Sequence, residues 1–390
     1  MTHSVKHAIA EELRRRYLES DKPHKSKILD EFCKTCNYHR KYAIRLMNKK
    51  KHRKKQIRKQ RGAPNQYDDP QILDFLILLR KELNLACSKR LKSAIALWLP
   101  FYEDYKKIIL KADVKEKLLK ISAASIDRLL KKHRLPTGKL GLCTTKPGTI
   151  LKKHIPVLTN QWDERRPGYL EADTVAHCGT CVAGSYVHTV NMVDIATGWH
   201  EQRAVWEKGY QGVMMAILDI EQTLPFPLRG FDCDNGSEFL NWHLVKMFEN
   251  RKRKVQFTRS RPYKKNDNAH IEEKNWTVVR QYIGYERFDH PQLADLLNEI
   301  YTSEWRLFMN YFVPSSKLIE KQRVGAKVIK HYDIPKTPYE RIMNMEEIPK
   351  KTKNELTRQF MSLNPFQLQS DMMKKIKEFH HVKHSLKDEF

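Results

Sequence analysis

Apolar residues follow two different rhythms along the chain. Up to about residue 135 they recur every three or four positions, which predicts helices. Residues 28–48, ILDEFCKTCNYHRKYAIRLMN, form two short helical patterns broken at Asn37. Asparagine tolerates the left-handed backbone that a tight interhelical corner requires. Measured from that corner, Cys33 falls where the first helix must be small. Phe32, Cys36, Tyr38, Ala43 and Leu46 supply apolar contacts, and the second helix presents Arg40, Lys41, Arg45 and Asn48 outward. The pattern suits a helix-turn-helix with an exposed recognition helix.

Next comes KKKHRKKQIRKQR, residues 49–61, with nine Lys or Arg in thirteen positions. Lys49, Lys50 and Arg53 belong to it, and Gly62, Pro64 and Asn65 end it. Such runs are often plain solvated faces, but directly behind a helix-turn-helix an arm that tracks phosphates is expected. A second helical block spans about 69–134 and closes with SAASIDRLLKKHR, where Ser122 is the expected N-cap. Its last helix is apolar at Ile126, Leu129 and Leu130 and basic at Arg128, Lys131, Lys132 and Arg134, so a second helix-turn-helix is expected, although a plain packing helix would read almost the same.

From Gly168 the rhythm changes to alternation. YLEADTVAHC, YVHTVNMVDIAT and WHEQRAVWEK are strand-like and separated by Gly-Thr, Gly-Ser and Thr-Gly, which predicts an antiparallel meander. A helix, a short strand LRGFDCD, a helix, a strand VQFTRSRPY and a long helix follow. The order βββ-α-β-α-β-α predicts a mixed five-stranded sheet with helices on its faces. From about Leu318 onward the chain reads as helical and basic. The expected organisation is a multidomain chain: 1–62 helix-turn-helix with basic arm, 63–135 second helical DNA-binding domain, 136–167 linker, 168–318 α/β catalytic domain and 319–390 basic C-terminal region.

Charge narrows the partner class. Lys and Arg number 73 against 46 Asp and Glu, a formal net charge of +27. A surplus of that size marks a polyanion-binding protein. No run of eighteen apolar residues and no apolar signal segment occurs, so a spanning helix and secretion are not expected. Seven scattered cysteines suit a reducing cytoplasm. The expected partner is nucleic acid in the cytoplasm, associated with the nucleoid, and no membrane.

Three acids then stand out. Asp173 lies on the first strand of the meander, Asp234 at the tip of the fourth strand where Asn235-Gly236 turns the chain, and Glu272 near the start of the long helix. Ligands of open sheets gather at such strand ends. Cutting a phosphodiester calls for hard divalent cations on the attacking and leaving oxygens, and Mg²⁺ needs few protein carboxylates.

Asp173 within LEADTVAHC, Asp234 within DCDNGSEF and Glu272 within NDNAHIEEKN resemble the D, D and E of the DDE transposase and retroviral integrase family. Sixty residues separate the first two acids and thirty-seven the second pair, and Asn275 follows Glu272 by three. The resemblance covers roughly 168–318 and implies an RNase H-like core. With the helix-turn-helix start, it implies a bacterial insertion-sequence transposase. It further implies Asp173, Asp234 and Glu272 as ligands of two Mg²⁺ or Mn²⁺ ions, double-stranded DNA (terminal repeats and target) as partner, and a homodimer or larger assembly on DNA. Hydrolysis at the element's end would leave a 3′-OH that attacks a target phosphodiester in line, with Lys264, Lys265 and Lys274 among the phosphate clamps. An inactive DNA-binding protein and a hydrolysis-only nuclease are the competing expectations.

The neighbouring acids Glu171 and Asp232 share strand faces with Asp173 and Asp234, and alternation alone does not separate them. Asp234 is preferred because it abuts the turn, and Asp173 on the family match. Cys33-x2-Cys36 with His3 and His7 has a zinc-like spacing, but zinc is not expected because corner packing already explains both cysteines. His177 is expected to be a satisfied strand histidine, and Trp199, Trp206, Trp242 and Trp276 core residues.

Overall fold

A computed structural model of the chain describes residues 1–48, 66–133, 164–234, 236, 238–259, 269–324 and 327–386, leaving aside the side chains of Ala269, His270, Glu272 and Arg323. The chain divides into two compact units, 1–65 and 66–390.

In the first unit the helical rhythm gives α1 (His3–Glu19), α2 (Lys22–Cys36) and α3 (Arg40–Met47). Asp21 opens α2 by accepting from the His24 amide, which satisfies a donor the helix start leaves unpaired. Asn37 ends α2 in the left-handed region, φ 49° and ψ 50°, as the corner expectation required. Phe32, Cys36 and Ala43 sit in the core with Ile28, Leu29 and Met47, and Cys33, Tyr38 and Leu46 pack against it.

The second unit begins with α4 (Pro70–Glu82), α5 (Ser88–Lys106), α6 (Ala112–Lys120) and α7 (Ala123–Leu130). Ser122 caps α7, its hydroxyl accepting from the Ser125 amide at 3.1 Å. These helices share one apolar core with the sheet that follows. Trp98 of α5 meets the rings of Phe308, Phe312 and Phe366 edge-on at 6.0, 6.4 and 4.9 Å, and its indole N–H donates to the Phe312 carbonyl at 3.0 Å. Emptying such a site typically costs about 3–5 kcal/mol, enough to couple the helical block to the later helices that carry Phe308, Phe312 and Phe366.

The alternating segments form β1 (Tyr169–Ala176), β2 (Val187–Asp194) and β3 (His200–Trp206), then α8 (Tyr210–Thr223), β4 (Gly230–Cys233), α9 (Trp242–Glu249) and β5 (Gln256–Arg259). The result is a mixed five-stranded sheet, order β3-β2-β1-β4-β5, with flanking helices. β2 runs antiparallel to β1 and β3, whereas β4 is parallel to both β1 and β5. α8 buries Val213, Ala216, Ile217 and Ile220, and α9 buries Leu244, Val245 and Phe248.

The long helix is α10 (Ala269–Lys274), a π-turn over Asn275–Arg280 and α11 (Gln281–Ile283). After α12 (Gln292–Ile300) and α13 (Arg306–Phe312), the chain departs from the all-helical expectation. Residues beyond Leu318 first form a hairpin, β6 (Leu318–Val324) and β7 (Lys327–Tyr332), and only then α14 (Pro338–Met343), α15 (Lys350–Met361) and α16 (Pro365–Ser385). The reason is local: Val324, Val328, Ile329 and Tyr332 are β-branched or aromatic and favour a pleated backbone.

Candidate active site

β1 and β4 lie side by side and parallel, with Glu171 opposite Asp232 and Ala172 opposite Cys233. One residue further along stand Asp173, in the middle of β1, and Asp234, just past the end of β4, as neighbours across the sheet. Their electrostatics show how close they are. Burial, and next the Asp234 charge, push the Asp173 carboxyl up to about 8. Burial and then Glu238 raise Asp234 as well. In each case an acidic neighbour, Asp234 for Asp173 and Glu238 for Asp234, disfavours ionisation.

The inner acids are engaged elsewhere. Glu171, 1% exposed, accepts the backbone N–H of Ile271 at 3.0 Å and so ties the start of α10 to β1. Asp232, 4% exposed, accepts from the Thr258 hydroxyl at 2.6 Å and ties β4 to β5.

Asp173 is held from the helix side. The Asn275 side-chain amide donates to Asp173 Oδ2 at 2.7 Å, and the backbone N–H of Thr174 donates to Oδ1 at 2.7 Å. Asn275 Oδ1 in turn accepts from Asn191 Nδ2 at 2.8 Å, and Asn191 Oδ1 accepts from Gln202 Nε2 at 2.9 Å. Asp173, Asn191 and Gln202 occupy paired positions on β1, β2 and β3, so the relay runs straight across the sheet. Asn191 and Gln202 went unnoticed in the sequence. Their signal was polarity inside strands otherwise patterned for burial.

A third acid was missed. Glu238, buried, places Oε1 2.9 Å from Lys208 Nζ and 3.0 Å from the Thr174 hydroxyl. Its carboxylate also accounts for Gly236: a Cβ there would stand 2.5 Å from Glu238 Oε2. Asp234 Oδ1 accepts the Gly236 amide at 2.8 Å, folding the turn back on its own carboxylate.

The donor set suits a hard divalent cation. Two oxygen-rich groups oppose each other's ionisation, and a bound cation supplies the countercharge they lack. Among the described residues no group of three or more His, Cys, Asp or Glu side chains converges to hold a metal. Glu272 lies on α10, three residues before Asn275, and its side chain is outside the described set.

The expected DNA contacts fall in different settings. Lys49, Lys50, Arg53, Lys264 and Lys265 lie outside the described residues. Lys41 and Arg45 are exposed on α3, Arg45 resting over the Tyr42 ring at 5.6 Å. Arg40, its side chain 42% exposed, is bonded to Asp30 and, at 2.6 Å, to the Ser26 hydroxyl. Arg128 and Lys131 are exposed, Arg128 reaching Ser125 at 3.0 Å. Lys274 faces a small crevice lined by Asp194, Ser315, Lys317 and Arg341, where burial lowers its pKa to about 8. His177 is fully buried, 2.8 Å from the Thr189 hydroxyl and stacked on Phe288. Trp199 is core, but Trp242 and Trp276 are 47% and 40% exposed, against expectation.

No family model matches the chain. The uncharacterized protein y4rM of Sinorhizobium fredii (strain NBRC 101917 / NGR234) is 37% identical over 337 residues, which cover 85% of this chain and 93% of that protein. Among solved structures, the chain is similar to the HTLV-2 integrase catalytic core domain in complex with magnesium (dimeric form). Identity there is 15% and the TM-score 0.28, over 39% of this chain and 92% of that one. The catalytic core domain of BIV integrase is also similar, at 15% identity and a TM-score of 0.27, over 44% of this chain and 91% of that one.

Proposed function

We propose that the chain, which belongs to the same family as the Sinorhizobium fredii protein y4rM, is a DNA transposase that cuts and joins the ends of a mobile element. One observation carries the proposal: Asp173 and Asp234 stand together on adjacent parallel strands, Asp173 within β1 and Asp234 just past β4, with Asn275 clamping Asp173 from the helix that bears Glu272. Supporting it are the order and spacing of the three acids and the charge of +27.

In this reading Asp173, Asp234 and Glu272 hold divalent cations. When bound, those ions supply the Lewis acidity that activates the attacking oxygen and stabilises the leaving one. The protein's own work is positional. Asn275 and the Thr174 amide fix both oxygens of Asp173, and Glu171 fixes the helix that brings Asn275 and Glu272 to the sheet. Lys41 and Arg45 on α3, with the basic run after it, contact the phosphates and grooves of the element's ends as a helix-turn-helix would. Arg128 and Lys131 add duplex contacts, while Lys274 serves only where DNA enters its crevice.

The test uses full-length protein, Mg²⁺ and labelled duplexes ending in the inverted repeats found beside the gene. Cleavage to a 3′-OH and joining to a target are expected. Asp234→Asn abolishes both steps and leaves end binding within about twofold. Cleavage without joining would make the protein a hydrolytic nuclease, and full activity in Asp234→Asn would remove the site assignment.

A further inference from the structure

The β6–β7 ribbon has no part in the chemistry above, yet its construction is specific. Every described residue from Ile319 to Tyr332 is exposed, so both faces meet solvent. A lone two-stranded hairpin is marginal in water. Here the base is braced. The Lys317 amide donates to Asp333 Oδ1 at 2.6 Å, the Asp333 amide donates to the Lys317 carbonyl at 2.9 Å, and Arg341 pairs with Asp333. A bridge between Ser315 and Lys336 closes the root. The ribbon is therefore fixed at its foot and bare along its length.

Its charge pattern opposes its own pairing. Residues 317–336 hold six Lys or Arg against two Asp or Glu. Lys321 stands directly opposite Lys330, and like charges in that relation destabilise a strand pair. Two positions along, Arg323 is paired with Val328. The other face carries Gln322 opposite Ile329 and Val324 opposite Lys327. Apolar residues are thus divided between the faces rather than gathered on one, which disfavours an apolar protein groove as partner. A polyanion relieves the lysine pair, and a two-stranded ribbon fits a major groove roughly 12 Å wide.

We propose that the β6–β7 ribbon is a docking arm for duplex DNA, seating Lys321 and Lys330 on backbone phosphates. This takes from the functional reading only the class of partner. The arm lies outside the carboxylate site, so it contributes to holding DNA and not to the reaction step.

The experiment measures binding of a random-sequence duplex to the full chain by fluorescence anisotropy in EDTA across a salt series. The double variant Lys321→Glu/Lys330→Glu is compared with wild type and with Lys350→Glu/Lys351→Glu, an exposed pair at the start of α15. The ribbon variant should bind about tenfold more weakly and lose roughly 1.8 from the slope of log K against log salt, about 0.9 per phosphate contact. The α15 variant should change affinity less than about twofold. An unchanged melting temperature shows the ribbon variant is folded, since two opposed glutamates repel across the strands as the two lysines did. Should it misfold, Lys321→Gln/Lys330→Gln replaces it, with the same loss of slope expected. Equal affinity and slope in wild type and ribbon variant overturn the proposal while leaving the transposase reading in place. Absence of DNA binding in wild type overturns both. Loss of self-association without loss of DNA binding makes the ribbon a contact between copies of the chain and also overturns it.

Discussion

Replacing Asn275 with alanine removes two hydrogen bonds at a single point of the site. Asp173 Oδ2 loses a donor at 2.7 Å, and the Asn191 side-chain amide, on a fully buried residue, loses its acceptor. A bond to a carboxylate contributes about 1.5–3 kcal/mol, and an unsatisfied buried donor costs about 1–3 kcal/mol. Asn275 is itself half-buried, so water enters part of the vacated space and the two costs do not add fully. A loss of roughly 2–4 kcal/mol in unfolding free energy follows, measured by urea denaturation of the full chain. Cleavage under single-turnover conditions should fall about 10- to 100-fold, the usual effect of removing a group that orients a metal ligand. The discriminating measurement is a double-mutant cycle with Asn191→Ala, where coupling of about 1 kcal/mol or more is expected if the two amides form one relay. Additivity within about 0.5 kcal/mol would refute the relay, as would an Asn275→Leu variant that cleaves like wild type.

Asp234→Asn, besides abolishing cleavage, should leave the protein in EDTA at neutral pH more stable by about 1 kcal/mol, because it relieves Asp173 of an adjacent like charge. A lower melting temperature would contradict that pairing. Lys208→Met leaves the Glu238 charge, 1% exposed, with its cation gone. Breaking a buried pair costs about 3–5 kcal/mol, reduced here to roughly 2–3 because Lys208 itself is 32% exposed, and adding Glu238→Gln should restore most of it. Stability should also fall as pH rises from about 4 to 6. Burial raises the Asp194 carboxyl from 3.8 to about 6, so its favourable contribution is complete below the unfolded value and gone above the folded one. The amplitude is on the order of 2–3 kcal/mol, and denaturation midpoints for wild type and Asp194→Asn across that window measure it.

The parts legible in the sequence were those governed by period and by strand ends. Alternation located β1 to β3, Asn37 marked its corner, and the sequence placed Asp173 on the first strand and Asp234 at the tip of the fourth, as the structure does. Depth and side-chain direction were not readable. Arg40 keeps 42% of its side chain exposed, but its bonds to Asp30 and Ser26 across the corner are not visible from helical position. Trp276 was expected to be a core residue. The structure buries Val279 and exposes Trp276, because the π-turn from Asn275 closes bonds five residues apart and shifts the helical register there. Glu238 follows Asp234 by four residues, but nothing in a linear reading shows that its carboxylate returns to fill the space above Gly236.

The acids divide by depth, and the division gives each pair its role. Glu171 and Asp173 are chemically near neighbours on one strand face, as are Asp232 and the residue beyond β4, Asp234. The inner two accept hydrogen bonds from a helix amide and a strand hydroxyl, so their charges are spent on geometry. The outer two, Asp173 within β1 and Asp234 just past β4, are raised by burial and by acidic neighbours, Asp234 beside Asp173 and Glu238 beside Asp234, so their charges remain in conflict. A fold evolved only for stability would replace one of that outer pair with an amide, at little cost to packing. Retaining both is reasonable where a cation is to be held between them. The same logic explains why the helix carrying Glu272 is pinned twice, by Glu171 at Ile271 and by Asp173 at Asn275. A third acid supplied from a helix contributes only if that helix cannot slide along the sheet, and the two bonds fix it on either side of residue 272.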